Sequence, residues 1–174
     1  QKKTMCREMD CIETLARVDT LCVDKTGTVT ENKMIVEDVC PLCDDRFTLD
    51  DIRMIMADYV YAMQADNDTM AALRRYFTGE KTQDATATLP FSSAKKYGGV
   101  SFHDEETYLL GAPDVLLAGR ENPYQEQIEG YSAKGCRVLL LGMYDGALSA
   151  ETLDAGLLPI ALILLSNKIR AEAP

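Results

Sequence analysis

Residues 18–24 read VDTLCVD, a short apolar run ending in an acid, and the KTGT that follows gives way to the polar ENK. That order predicts a strand, a tight turn and a helix start, with Asp24 at the strand's carboxyl end. In open α/β sheets ligands bind at that edge. A carboxylate there is a weak nucleophile, but it becomes adequate when held in line with a terminal phosphoryl group whose charge is neutralised by nearby cations. Lys25 offsets negative charge beside the site, and Gly27 lets the backbone approach phosphoryl oxygens with no Cβ in the way. The bland alternative is a polar turn that caps a helix, which would not require this run of residue types.

The elements that must position these residues follow from periodicity. Met34 to Val39 predicts a strand closed by Cys40-Pro41. Ile52, Ile55, Met56, Tyr59, Val60 and Met63 recur at helical spacing after Asp50 and Asp51, whose carboxylates suit a helix N-terminus, and this stripe reads as core. Residues 69–77 predict a second helix, ended by Gly79. Three β-like runs follow, 85–91, 95–102 and 107–111, separated by turn residues, and they read as an antiparallel meander. Ala112-Pro113-Asp114 fits a helix start and 124–134 a further helix stopped by Gly135. Residues 137–144 and 158–165 read as buried strands.

Composition limits the function classes. With 174 residues, 47% of them apolar and 26% charged, the chain can bury a core without staples. The longest apolar stretch, Leu157 to Leu165, is interrupted by Pro159 and is far shorter than the roughly 20 residues of a membrane-crossing helix. The N-terminal residues lack the apolar segment of a secretory signal. Six scattered cysteines show no disulfide framework, and cytosolic exposure with reduced thiols is expected. A net charge of −10 and the lack of a Lys/Arg block argue against nucleic acid as a partner. Cys40-Pro41-Leu42-Cys43 supplies half the ligands of a structural zinc, and ordinary reduced loop cysteines are the simpler reading. His103 lies in a polar turn.

Asp24-Lys25-Thr26-Gly27-Thr28 matches the phosphorylation signature of P-type ATPases, and Ile12-Glu13-Thr14-Leu15 and Thr30-Glu31-Asn32-Lys33-Met34 on either side resemble the same family. Within it, the sequence is similar to bacterial cation pumps with a small nucleotide-binding domain. The resemblance implies that Asp24 accepts a phosphoryl group from ATP as an aspartyl-phosphate, with Lys25 beside it. It also implies that Mg²⁺ is held by Asp24 and the Thr26 carbonyl, and that the Thr28 hydroxyl binds phosphate. Phosphatases of the wider haloacid dehalogenase superfamily usually carry a second aspartate where Thr26 stands, as general acid and base. Threonine cannot take that role at neutral pH, so the phosphoenzyme is expected to hydrolyse slowly.

The same resemblance supplies a nucleotide pocket. Phe91-Ser92-Ser93-Ala94-Lys95-Lys96 resembles the family segment whose phenylalanine stacks on adenine; Lys96 takes the family's lysine, and Ser93 stands where many members have arginine. Gly111-Ala112-Pro113 matches a KGAP-type loop with Leu110 in place of the lysine. Gly135-Cys136-Arg137-Val138-Leu139 resembles the G-x-R-V-L segment whose arginine reaches the phosphates. Thr69 aligns near the adenine, with Met70 where an acid is frequent. Asn167-Lys168-Ile169-Arg170 is similar to a D-x-x-R hinge, with asparagine for aspartate. On local sequence alone, Phe91 also reads as core beside a solvated turn, Gly111 as a turn and Arg137 as an edge-strand residue reaching water.

The expected fold is α/β (α+β), an inserted nucleotide-binding domain with an antiparallel sheet flanked by helices. Incomplete haloacid-dehalogenase-like strands of the phosphorylation domain are expected at both ends. Residues 1–32 would belong to the phosphorylation domain, 33–157 to the nucleotide-binding domain and 158–174 to the return segment. The implied partners are nucleotide and the transmembrane, actuator and remaining phosphorylation domains of the same polypeptide, on the cytoplasmic side of a membrane this chain does not itself contact. A haloacid-dehalogenase-type phosphatase with a cap is the alternative.

Overall fold

A computed structural model describes residues 16–20, 30–43, 45–64, 67–103, 106–148, 153 and 155–169. The chain runs β1 (Thr30–Pro41), α1 (Leu49–Ala62), α2 (Asp68–Tyr76), β2 (Ala85–Ser92), β3 (Tyr97–Phe102), β4 (Thr107–Gly111), the single turn α3 (Pro113–Leu116), α4 (Gln125–Ala133), β5 (Arg137–Tyr144) and β6 (Leu157–Ile169). These six strands join one sheet in the order β1-β6-β5-β4-β3-β2, every neighbour antiparallel. This is the helix-flanked antiparallel sheet expected from the sequence.

Side chains alternate across each strand, so the sheet feeds two cores. Leu139 and Leu141 of β5 pack with Met34, Val100, Leu110 and Ile163 beneath α1 and α2. Val138 and Leu140, pointing the other way, pack with Tyr97, Leu109, Leu162, Leu116 of α3 and Leu117 just after it. Pro159, which cannot donate to a ladder, falls opposite Gly142 at a register shift between β5 and β6.

The helices on the first face are well anchored. Thr48 and Asp51 form a capping box on α1, the Thr48 oxygen accepting from the Asp51 backbone N–H at 3.2 Å and an Asp51 oxygen accepting from the Thr48 N–H at 2.8 Å. Asn67 caps α2 by accepting from the Met70 N–H at 2.9 Å. Arg75 then ties α2 to β1 by donating to the Met34 carbonyl at 2.8 Å. Asp58, 1% exposed, accepts from the Thr82 N–H at 2.7 Å and its hydroxyl at 2.6 Å, which fastens α1 to the segment before β2.

The expected divisions after residues 32 and 157 both fall within strands of this sheet. The sheet runs through both division points, because β1 already spans residues 30–41 and β6 is an inner strand between β1 and β5. Residues 158–165 therefore belong to the core of this body; a buried apolar run specifies that a strand is covered, not which sheet covers it. Residues 18–20, the described start of the strand expected over 18–24, carry no strand, and among the described residues none pairs with them in the sheet. The rest of that strand and Asp24, Lys25, Thr26, Gly27 and Thr28 lie outside the described residues, as does Arg170.

Candidate functional site

A cleft of about 860 Å³ opens on the α1–α2 face, between the start of α2, the β2–β3 turn and the first residues of β5. Asn67 starts α2 at one side, and Asp68, Thr69 and Met70 of its first turn line the space. Across from them, the hairpin turn after β2 carries Ser93 and Lys96. Lys96 adopts a left-handed φ of 58°, and its N–H donates to the Ser92 carbonyl at 2.6 Å to close that turn. Phe91, at the end of edge strand β2, is 42% exposed, which is unusual for a large apolar ring and leaves its face available.

Gly111 is buried rather than lining; its neighbours Leu110 and Ala112 reach the cleft. A Cβ at Gly111 would lie 2.4 Å from Tyr97 Cβ and 2.6 Å from the Lys96 carbonyl, so glycine is what allows β4 to close against the hairpin turn. The Ala112 N–H donates to that same carbonyl at 2.9 Å, which fixes the turn bearing Lys96 relative to the loop before α3.

Arg137 begins β5, an inner strand rather than an edge. Its Nη1 donates to the Thr69 hydroxyl at 2.9 Å, and that hydroxyl donates to Met34 Sδ at 3.3 Å. One chain of contacts thus links β5, α2 and β1 across the cleft. Lys96 Nζ lies 3.3 Å from Asp114 Oδ2, with both side chains more than half exposed. Such a pair holds weakly and exchanges readily for another anion. The cleft therefore combines two cations and several polar groups near its opening with an apolar interior formed by Met34, Met70, Leu73, Leu110 and Leu139.

Thr69, Phe91, Ser93, Lys96, Ala112 and Arg137, separated by up to 68 residues in the chain, meet around this one space. Sequence reasoning did not pick out Tyr59, Met34 or Leu139, which also line it, because a residue on a helical or strand stripe reads as core whether a cleft or another side chain lies beyond it. Asn167, near the end of β6, lines it as well. Burial pushes the Tyr59 phenol well above its ordinary pKa. Among the described residues no group of three or more His, Cys, Asp or Glu could hold a metal ion, and no helix is long and apolar enough to cross a membrane.

The fold is that of the catalytic part of ion-transporting ATPases. It superposes on a zinc-transporting PIB-type ATPase with a TM-score of 0.58 at 20% identity, covering 86% of this chain and 22% of that one. It also superposes on the catalytic domain of the CPx-ATPase CopB-B, from a study of its conformational changes upon nucleotide binding, with a TM-score of 0.54 at 15% identity over 95% of this chain and 50% of that one. No protein-family model matches the chain. The calcium-transporting ATPase CtpE of Mycolicibacterium smegmatis is 37% identical over 177 residues, 99% of this chain. The probable cation-transporting ATPase exp7 of Streptococcus pneumoniae is 40% identical over 153 residues, 88% of this chain. The chain belongs to the P-type cation-transporting ATPases, and it spans only 21% and 18% of the lengths of those two relatives.

Proposed function

We propose that this chain is the ATP-binding and phosphoryl-accepting portion of an ATP-driven cation pump, lying on the cytoplasmic side of the membrane that the whole protein spans. The observation that carries the reading is the cleft in which Phe91, Lys96, Arg137 and Thr69 meet. Its exposed aromatic face suits an adenine ring, a contact worth about 1–3 kcal/mol per base in nucleic-acid complexes. Lys96 and Arg137 stand near the opening, where the triphosphate would lie. Arg137 would exchange its bond to Thr69 for phosphate oxygens, and Lys96 would exchange Asp114 for the same. Ser93, Ala112 and the turn held by Gly111 complete the wall.

In this reading the cleft delivers the terminal phosphoryl group to Asp24. A carboxylate oxygen of Asp24 attacks the γ-phosphorus in line, the bond to the β–γ bridging oxygen breaks, and ADP leaves with that electron pair. Lys25 and the Thr28 hydroxyl would offset charge on the phosphoryl oxygens. Asp24 and the Thr26 carbonyl, hard oxygen ligands of the kind Mg²⁺ prefers, would hold that ion, which would supply neutralisation of the phosphoryl charge. The transmembrane, actuator and remaining phosphorylation domains of the same polypeptide would complete the pump, and the chain alone would turn ATP over little.

The test uses the full-length protein with MgATP and its transported ion. An acid-stable, hydroxylamine-labile acyl phosphate is expected at Asp24 and is absent from Asp24→Asn. A haloacid-dehalogenase-type phosphatase would instead release phosphate rapidly from small phosphate esters, and that result, with no trapped acyl phosphate, would replace this reading.

A further inference from the structure

Tyr59 lies in the third turn of α1, lines the cleft and is 1% exposed. The other buried residues that line the cleft, among those described, are apolar: Met34, Met70, Leu73, Leu110 and the β5 pair Val138 and Leu139. Its hydroxyl has no hydrogen-bond partner among the described residues. No buried side-chain nitrogen or oxygen among those residues is sealed away without a partner. The little surface that Tyr59 retains therefore includes its hydroxyl, and the cleft is the space that Tyr59 lines.

An unpaired hydroxyl in apolar surroundings costs free energy that a phenylalanine filling the same volume would not. The oxygen recovers that cost only if something entering the cleft bonds to it. The cations fix which part of a nucleotide that would be. Lys96 and Arg137 are exposed at the opening, whereas Tyr59 is deep. A purine with its phosphates at the opening points inward the edge opposite its glycosidic nitrogen, which in adenine carries the unprotonated ring nitrogen N1 and the exocyclic amine. Burial raises the phenol's pKa, so the hydroxyl stays protonated and able to donate.

We infer that Tyr59 is a base-reading residue, its hydroxyl donating a hydrogen bond to N1 of a bound adenine from the apolar floor of the cleft. This rests on the nucleotide-binding reading of the cleft and adds to it the group that recognises the base edge.

The experiment is an NMR titration of wild type and Tyr59→Phe with ATP and with 1-deaza-ATP, in which carbon replaces N1. Wild type is expected to bind ATP about three- to tenfold more tightly than the deaza analogue, and Tyr59→Phe to lose that preference by weakening toward ATP alone. The thermal midpoint of Tyr59→Phe without nucleotide should equal or exceed that of wild type. If wild type binds the two nucleotides equally, or Tyr59→Phe weakens both alike, the base-reading role is overturned while nucleotide binding stands. A lowered midpoint would show that the oxygen already serves the fold, and would overturn it too. Failure of wild type to bind ATP at all would remove the nucleotide reading itself, and with it this inference.

Discussion

The two faces of the sheet are built differently. On one, α1 and α2 are capped by side chains, and α1 buries seven of its fourteen residues, yet the layer stops short and leaves a cleft over β4 and β5. On the other, α3 is a single turn, α4 buries none of its residues and neither has a side-chain cap, yet Leu116, Leu117, Leu140 and Leu162 close the core beneath them. The well-anchored layer is the open one. A binding site needs walls that hold their geometry before the ligand arrives, whereas a face that only seals a core can be covered by loosely organised segments.

Leucines buried to the same degree on the two faces test that contrast most strongly. Leu140 and Leu73 are each 0% exposed, but Leu73 borders the cleft and Leu140 does not. Leu140→Ala is expected to cost about 3–5 kcal/mol in denaturant unfolding, since it leaves a closed cavity. Leu73→Ala should cost about 2–3 kcal/mol, because the space it vacates joins the open cleft. Equal losses would mean that the cleft is not open where Leu73 meets it.

A smaller effect concerns the anchoring itself. Hydrogen bonds from the Thr48 side chain and backbone hold the exposed Asp51 carboxyl below the usual carboxylate range. A depressed folded-state pKa contributes stability above the unfolded pKa, and that contribution is lost as pH falls through the folded value. Unfolding midpoints of wild type should therefore fall below about pH 4, and Asp51→Asn should flatten that part of the profile. An unchanged profile would remove the capping box as an acid-sensitive anchor.

The candidate site was legible through the family resemblance, and local punctuation fixed only where its parts fall in the fold. Phe91 and Lys96 flank a hairpin turn, Arg137 follows the Gly135 after α4, and Thr69 lies in the first turn of α2, but turn and cap chemistry alone gave none of them a ligand. The meander β2–β3–β4 was legible from that punctuation, its strands being neighbours in sequence. The strand order was not. Residues 158–165 read as a buried strand, but only long-range pairing with β1 and β5 places it in the middle of this sheet. Tyr59 stayed hidden because helical periodicity reports which way a side chain faces and not whether a cleft lies there. Asp58 and Thr82 were equally invisible, their bond spanning 24 residues with no shared motif.

The central claim is that the open face receives an adenine nucleotide against Phe91. ATP titration of wild type and Phe91→Ala, with affinity and thermal midpoint both measured, tests it most directly. Because the ring is 42% exposed, the midpoint should move little, while ATP affinity should fall by about 1–2 kcal/mol, roughly five- to thirtyfold. Equal affinity in the two proteins would contradict the claim.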